Sequence, residues 1–287
     1  MSGSGPSVVA IGGGHGLAIV LEAMVDRSSS LTAVVSVADD GGSSGRLRRD
    51  LGIVAPGDMR RCLAALTPNG LIRKALEHRF DHGVLVGHPA GNVFLASLLE
   101  LEPDPVVVMD TLAAMVEARG RVLPATSEPV DLLASAARGT VKGQVAISES
   151  GEIHEIRFSP AEPEVPSAVV AAIEHADLIV LGPGSLYTSV LAPVVPGVAA
   201  ALRRRQGCLA HVANLAAEPG ETEGYGLDEH IEAVLRHGVD PDVVIADVKA
   251  SSDGRFGDRL RQYELVGALQ SVHDPRRLGT VLSSLGS

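Results

Sequence analysis

Four glycine-bearing segments carry side chains suited to holding an anion. Gly12-Gly13-Gly14-His15-Gly16 follows the apolar run Ser7 to Ile11, and Asp39-Asp40-Gly41-Gly42-Ser43-Ser44-Gly45-Arg46-Leu47-Arg48 follows Leu31 to Val37. His88-Pro89-Ala90-Gly91-Asn92 follows Val84 to Gly87, and Gly182-Pro183-Gly184-Ser185 follows Leu178 to Leu181. Glycine lets backbone N–H groups come close to a ligand, and a helix that starts at such a turn adds a partial positive charge of about half an electron. That combination suits a pyrophosphate. The first segment also reads as a plain strand-to-helix turn. The dinucleotide pattern G-x-G-x-x-G needs glycine where Leu17 stands, and the chain has no G-x-x-x-x-G-K-[ST] loop.

The side chains in these segments each have two readings. Asp39 ends an apolar run at the place where the dinucleotide fold puts an acid on the ribose, which keeps an NAD-binding enzyme open. Asp39 and Asp40 are adjacent and face opposite ways if extended, so one can bond a sugar hydroxyl while Asp40 joins Asp58 on Mg²⁺. The alternative for these acids is loop bonding and helix capping, since Asp58 precedes a helix-like run. Arg46 and Arg48 either reach phosphates or lie in solvent, and Ser43 and Ser44 either donate to phosphate oxygens or shape the turn. Asn92 suits a base or sugar edge, or a helix N-cap; His15 and His88 are proton or phosphate donors, or simply hydrogen-bonded loop residues. Ser185, Tyr187 and Thr188 place hydroxyls at the second glycine turn, and Asn214 ends the run Cys208 to Ala213. There is no G-x-S-x-G elbow, so these features describe a binding site more readily than a hydrolase.

Such loops need strands to present them. Leu17, Val20, Leu21, Met24 and Val25 share one helical face after the first glycine turn. The pattern predicts helices over Asp58 to Leu66, Leu71 to Arg79, Val93 to Leu101, Pro105 to Ala118, Pro166 to His175 and Leu227 to His237, with Val243 to Val248 as a last strand. Val130 to Ala134, Val141 to Ile147 and Ile153 to Phe158 read as a small antiparallel region. Alternating strands and helices predict an α/β fold, a mostly parallel sheet with helices on both faces and a small antiparallel insertion. The expected organisation is a nucleotide-binding part over residues 1–120, a β-rich insertion over 121–160 and a part over 161–287 completing the same sheet.

Composition narrows the class. Lys plus Arg is 24 against 35 Asp plus Glu, a formal charge of −11, which argues against nucleic acid as a partner. The 32 glycines exceed the usual share of about 7% while Phe, Tyr and Trp number only 4, 3 and 0, so close backbone approaches outnumber stacking platforms. The longest uncharged stretch, Leu178 to Leu202, is broken by six prolines and glycines, which predicts no membrane span. With no signal segment before Ser7 and only Cys62 and Cys208, a cytoplasmic protein is expected.

Taken in order, the four segments resemble the YvcK, or gluconeogenesis factor, branch of the CofD-like family. Gly-Asp-Met-Arg-Arg-Cys-Leu at 57–63 and Glu218-Pro219-Gly220-Glu221-Thr222-Glu223-Gly224-Tyr225 with Glu229-His230 add further matches, so the resemblance spans most of the chain. It implies a Rossmann-like core that binds a UDP-sugar, notably UDP-N-acetylglucosamine or UDP-glucose. The implied role is regulatory, tied to cell shape, cell-wall synthesis and gluconeogenic growth, with cell-wall synthesis proteins as partners and a homo-oligomeric state. The sister branch implies the alternative, a Mg²⁺-dependent 2-phospho-L-lactate transferase acting on a deazaflavin alcohol, with Asp40 and Asp58 as its catalytic acids. The end at Ser287 makes the chain short relative to that family.

Overall fold

Most of the apolar, β-branched runs fold as strands. The computed structural model describes residues 5–136, 139–218, 220–268 and 271–286. Its strands are β1 (Ser7–Gly12), β2 (Ser30–Val35), β3 (Arg121–Pro124), β4 (Asp131–Ala136), β5 (Gly139–Lys142), β6 (Ile153–Ser159), β7 (Leu178–Leu181), β8 (Cys208–Val212), β9 (Val243–Asp247) and β10 (Leu260–Tyr263). Seven form one sheet in the order β10-β9-β8-β7-β1-β2-β3, and every neighbouring pair is parallel. A second, antiparallel sheet, ordered β5-β4-β6, is inserted between β3 and β7.

Parallel strands covered on both faces must be apolar on both, and β1 shows why the runs are continuous. Val8 and Ala10 pack with Leu17, Leu21 and Met24 of the helix Gly14–Met24, together with Met59, Leu63, Leu95 and Leu278. Val9 and Ile11 face the opposite layer, with Ile173, Tyr187, Leu202 and the insertion residues Leu132 and Ile156. Ile11 and Leu17 are fully buried, so truncating either to Ala costs about 3 kcal/mol through lost transfer energy and the cavity left behind. The chain runs from β1 outward through β2 to β3, then returns to the other side of β1 as β7. The β1–β7 boundary is therefore the switch point, where ligands of open α/β sheets bind beyond the strands' carboxyl ends.

Several boundaries differ from those expected. Arg121–Pro124, read as the start of the insertion, pairs with β2 at the edge of the parallel sheet. Val141 to Ile147 divides at Gly143 into β5 and the short helix Gln144–Ser148. Val84 to Gly87 is a turn with Val84 exposed, because no neighbouring strand is there to pair with it. The segment Gly42–Leu51 is a helix rather than a loop: Gly45 lies so close to the Asp40 carbonyl that a Cβ would stand 1.8 Å from its oxygen. A further parallel strand, β10, follows Val243–Asp247. Among the described residues, no helix is long and apolar enough to cross a membrane.

Candidate ligand-binding site

The two glycine turns at the switch point interlock. After β1, Gly13 is extended and Gly14 has φ +64°, a left-handed value at which a side chain would be strained, and the helix Gly14–Met24 then begins without a side-chain N-cap. Its first N–H groups are thus left for a ligand or water. After β7, Gly182 and Gly184 also have positive φ, and the chain folds against the first turn. A Cβ on Gly16 would lie 2.1 Å from the Pro183 carbonyl oxygen, so only glycine fits there. Between the turns lies a cleft of about 480 Å³, within the range of small-molecule sites, lined by Gly14, His15, Gly184, Ser185, Asn214 and His273 among others.

Polar groups on one wall are already oriented. The Gly184 N–H donates to Asn214 Oδ1 at 2.9 Å, and Asn214 Nδ2 donates to Glu218 Oε1 at 3.1 Å. His273 is buried and bonded to the Ala213 backbone; burial pushes it down to about 4, so it is neutral at pH 7, and its Nε2 has no partner among the described residues. His211, beneath the same strand ends, bonds the Leu181 carbonyl through Nδ1 at 3.2 Å, is likewise pushed to about 4, and also has an unpartnered Nε2. On the opposite wall, the charge of Arg61 and burial hold His15 below its ordinary value.

The remaining acids and hydroxyls form a second, smaller pocket of about 190 Å³, lined by Asp39, Ser43, Ser44, Arg60, Arg79 and Asn92 among others. Ser43 Oγ lies 2.8 Å from His88 Nδ1, Asn92 Nδ2 donates to Ser43 Oγ at 3.1 Å, and Arg60 Nε donates to Asn92 Oδ1 at 3.1 Å. Burial, then the charge of Asp58, raises Asp39, whose Oδ1 accepts the Gly41 N–H at 2.9 Å. Arg46 sits at the rim, donating to the Val86 carbonyl.

Asp40 and Asp58, the pair expected on Mg²⁺, each already bond a neighbour. Asp40 Oδ1 accepts the Val145 N–H at 3.0 Å, tying the glycine segment to the insertion helix, whereas Asp58 is ion-paired with Arg61 at 2.6 Å. It is Asp39 that feels Asp58, and no group of three His, Cys, Asp or Glu side chains suited to a metal exists among the described residues. Asp40 and Asp58 are thus engaged by different partners.

Five other expected site residues line neither pocket: Arg46 and His88, which lie beside the smaller one, and Gly12, Gly182 and Tyr187. Gly12 is the last residue of β1, and Gly182 packs beneath β8 near the Val212 carbonyl. Tyr187 is wholly buried, its hydroxyl donating to the Ile153 carbonyl at 2.9 Å, because Leu186–Val190 turns inward as a π-helical turn whose Tyr187 and Thr188 N–H groups Glu221 accepts. Pro219, in the last matched segment, lies outside the described residues. The sequence reading missed Arg60, Arg79, Glu218 and His273. Arg60 had a usable signal, an arginine within the buried run Met59, Cys62, Leu63 and Leu66, whereas His273 sits in a short segment without periodicity.

A seven-stranded parallel sheet with interlocked glycine turns at its switch point defines a doubly wound α/β protein with an anion-suited cleft. Residues 8–280 match the family model described as 2-phospho-L-lactate transferase CofD, and the chain belongs to that family. It is 40% identical over 311 residues to a Mycobacterium leprae protein named "Putative gluconeogenesis factor", covering 99% of this chain and 87% of that protein. A Halalkalibacterium halodurans protein named "Gluconeogenesis factor" is 37% identical over 247 residues, covering 83% of this chain and 77% of that one. The crystal structure of a UPF0052 family protein from Bacillus halodurans superposes with a TM-score of 0.90 at 31% identity, covering 98% of this chain and 99% of that chain.

Proposed function

We propose that this chain is a cytoplasmic regulatory protein that binds a UDP-sugar, UDP-N-acetylglucosamine or UDP-glucose, and links its level to cell-wall synthesis, cell shape and gluconeogenic growth. The observation that carries this reading is the 480 Å³ cleft between two glycine turns at the switch point. The diphosphate faces the uncapped N–H groups that open the helix Gly14–Met24, where backbone donors and the helix dipole favour negative charge. Asn214 and Glu218 offer donors and acceptors to hydroxyls of the sugar or ribose. The gluconeogenesis factor names of the relatives support the regulatory side of the reading.

A thermal-shift and calorimetric series with UDP-N-acetylglucosamine, UDP-glucose, GDP and NAD tests it. A ligand at 100 times its Kd adds about 2.7 kcal/mol, enough to raise Tm by several degrees. Failure of both uridine nucleotides to stabilise the protein sinks the reading. The family description favours a second one, a phospholactate transferase. Product formed from a nucleotide-activated phospholactate and a deazaflavin alcohol with Mg²⁺ present would establish it.

A further inference from the structure

The smaller pocket has its own chemistry, one that the nucleotide reading does not use. Two helices begin at its edge, Gly42–Leu51 and Gly57–Leu66, neither with a side-chain N-cap. Their starts touch, for a Cβ on Gly57 would stand 2.1 Å from Ser44 Oγ. Arg60 supplies a second, independent signal. It is 6% exposed and lines the pocket, yet among the described residues it has no ion-pair partner. Among the described residues its Nε alone is hydrogen-bonded, to Asn92, and neither terminal amino group of the guanidinium has a protein partner. The nearest acid in sequence, Asp58, is taken by Arg61. Gly91 makes room for the buried stem, since a Cβ there would lie 2.7 Å from Arg60 Cγ.

The charge balance identifies the ligand class. Arg60, Arg61 and Arg79 line the pocket against Asp39, with Asp58 spent on Arg61, which leaves a net of one positive charge. Two helix N-termini add about half a charge each. Near +2 in a space of about 190 Å³ matches one phosphate dianion with a small substituent and is too small for a nucleotide. A buried, fork-shaped guanidinium is also the donor best matched to phosphate oxygens.

We propose that the pocket of Ser43, Arg60, Arg79 and Asn92 is a second anion site, separate from the switch-point cleft, that takes the phosphate of a small phosphomonoester. The phosphate lies between the Arg60 guanidinium and the two helix starts. Free orthophosphate offers the same chemistry, so the test carries both sources.

Titration calorimetry in chloride buffer at pH 7.5 with glycerol 3-phosphate, and separately with inorganic phosphate, reads the site directly. The expected result is one-to-one binding that weakens at least tenfold in Arg60→Met and about threefold in Ser43→Ala. The serine variant removes one buried oxygen at constant shape and serves if Arg60→Met does not fold. Tenfold tighter binding of glycerol 3-phosphate than of phosphate assigns the organic ester, and equal binding assigns orthophosphate. UDP-glucose then binds within twofold of its unaltered affinity in Arg60→Met and in saturating phosphate. No binding of either probe, binding unchanged in both variants, or competition between phosphate and UDP-glucose overturns the proposal. Phosphate binding without UDP-glucose binding leaves this site standing and removes the nucleotide reading instead.

Discussion

The two pockets lie side by side, with Asp58 and Arg61 near both, but they are built by opposite means. The switch-point cleft has a floor of backbone, Gly13 to Gly16 against Pro183 and Gly184, with Asn214, Glu218 and a buried, neutral His273 on one wall. The smaller pocket is walled by side chains, with arginines on one side and a half-buried acid on the other. Backbone donors fix direction and distance without net charge, so they suit a ligand recognised by shape. Guanidinium groups supply charge that attracts any small anion of the right size. A protein of net charge −11 concentrates positive potential where it has a use for it.

The largest effect should come from the backbone wall. Gly16→Val puts a side chain on the Pro183 carbonyl, and because backbone cannot yield cheaply it should cost about 3 kcal/mol. The urea midpoint should fall with m unchanged, and nucleotide-sugar affinity should fall with it; a stability within 1 kcal/mol of the parent would mean that the turns are not interlocked. Next, Asp58→Asn leaves Arg61 unpaired between the pockets. About 2 kcal/mol is expected, less than for a fully buried pair because Arg61 keeps some water contact. In NMR titrations both Asp39 and His15 should move down, since the Asp58 charge raises each.

Acid titration sets the buried histidines against Asp39. His211 and His273 are held near 4 against an ordinary 6.5, so the unfolded chain binds more protons between these values and stability falls as pH drops from 6.5 to about 4. Each fully titrating histidine contributes a slope of about 1.4 kcal/mol per pH unit. His273→Gln should remove one such contribution in denaturation series across that range. Asp39 acts oppositely: its folded value lies above 3.8, so the folded chain holds the extra proton and stability falls as pH rises from 3.8 through that value. Asp39→Asn should abolish this opposing component. The smallest effect belongs to neither wall. Tyr187→Phe should cost about 1 kcal/mol by calorimetric unfolding, because Tyr225 still donates to the Ile153 carbonyl at 3.0 Å; a loss of ligand affinity in that variant would mean that the hydroxyl reaches the cleft after all.

The sheet was legible because its signal is local. Strands such as Leu178–Leu181 and Val243–Asp247 are continuous apolar runs, as burial on both faces demands. The helix Gly42–Leu51 was not, since glycines and serines have low helix propensity and its support is tertiary, from Leu47 on the core, Ser43 bonded by Asn92 and Ser44 against Gly57. The glycine turns were recognisable at the strand ends, but their division between two pockets was not. Composition shows that Asp39, Asn92 and Gly184 are suited to a ligand; only the crossing from β3 back to β7 decides which of them share one. Asp40 shows the same limit, because its partner Val145 lies 105 residues away in an insertion whose docking no periodicity announces.

The contact of Gly16 with the Pro183 carbonyl also bears on selectivity. Two chain segments touching through main-chain atoms alone have no rotamers to change, so the floor of the cleft cannot open for a bulkier guest or shrink around a slighter one. Such a surface acts as a gauge. It rejects by size before any hydrogen bond is tested, and it spends little entropy on ordering itself when the right molecule arrives.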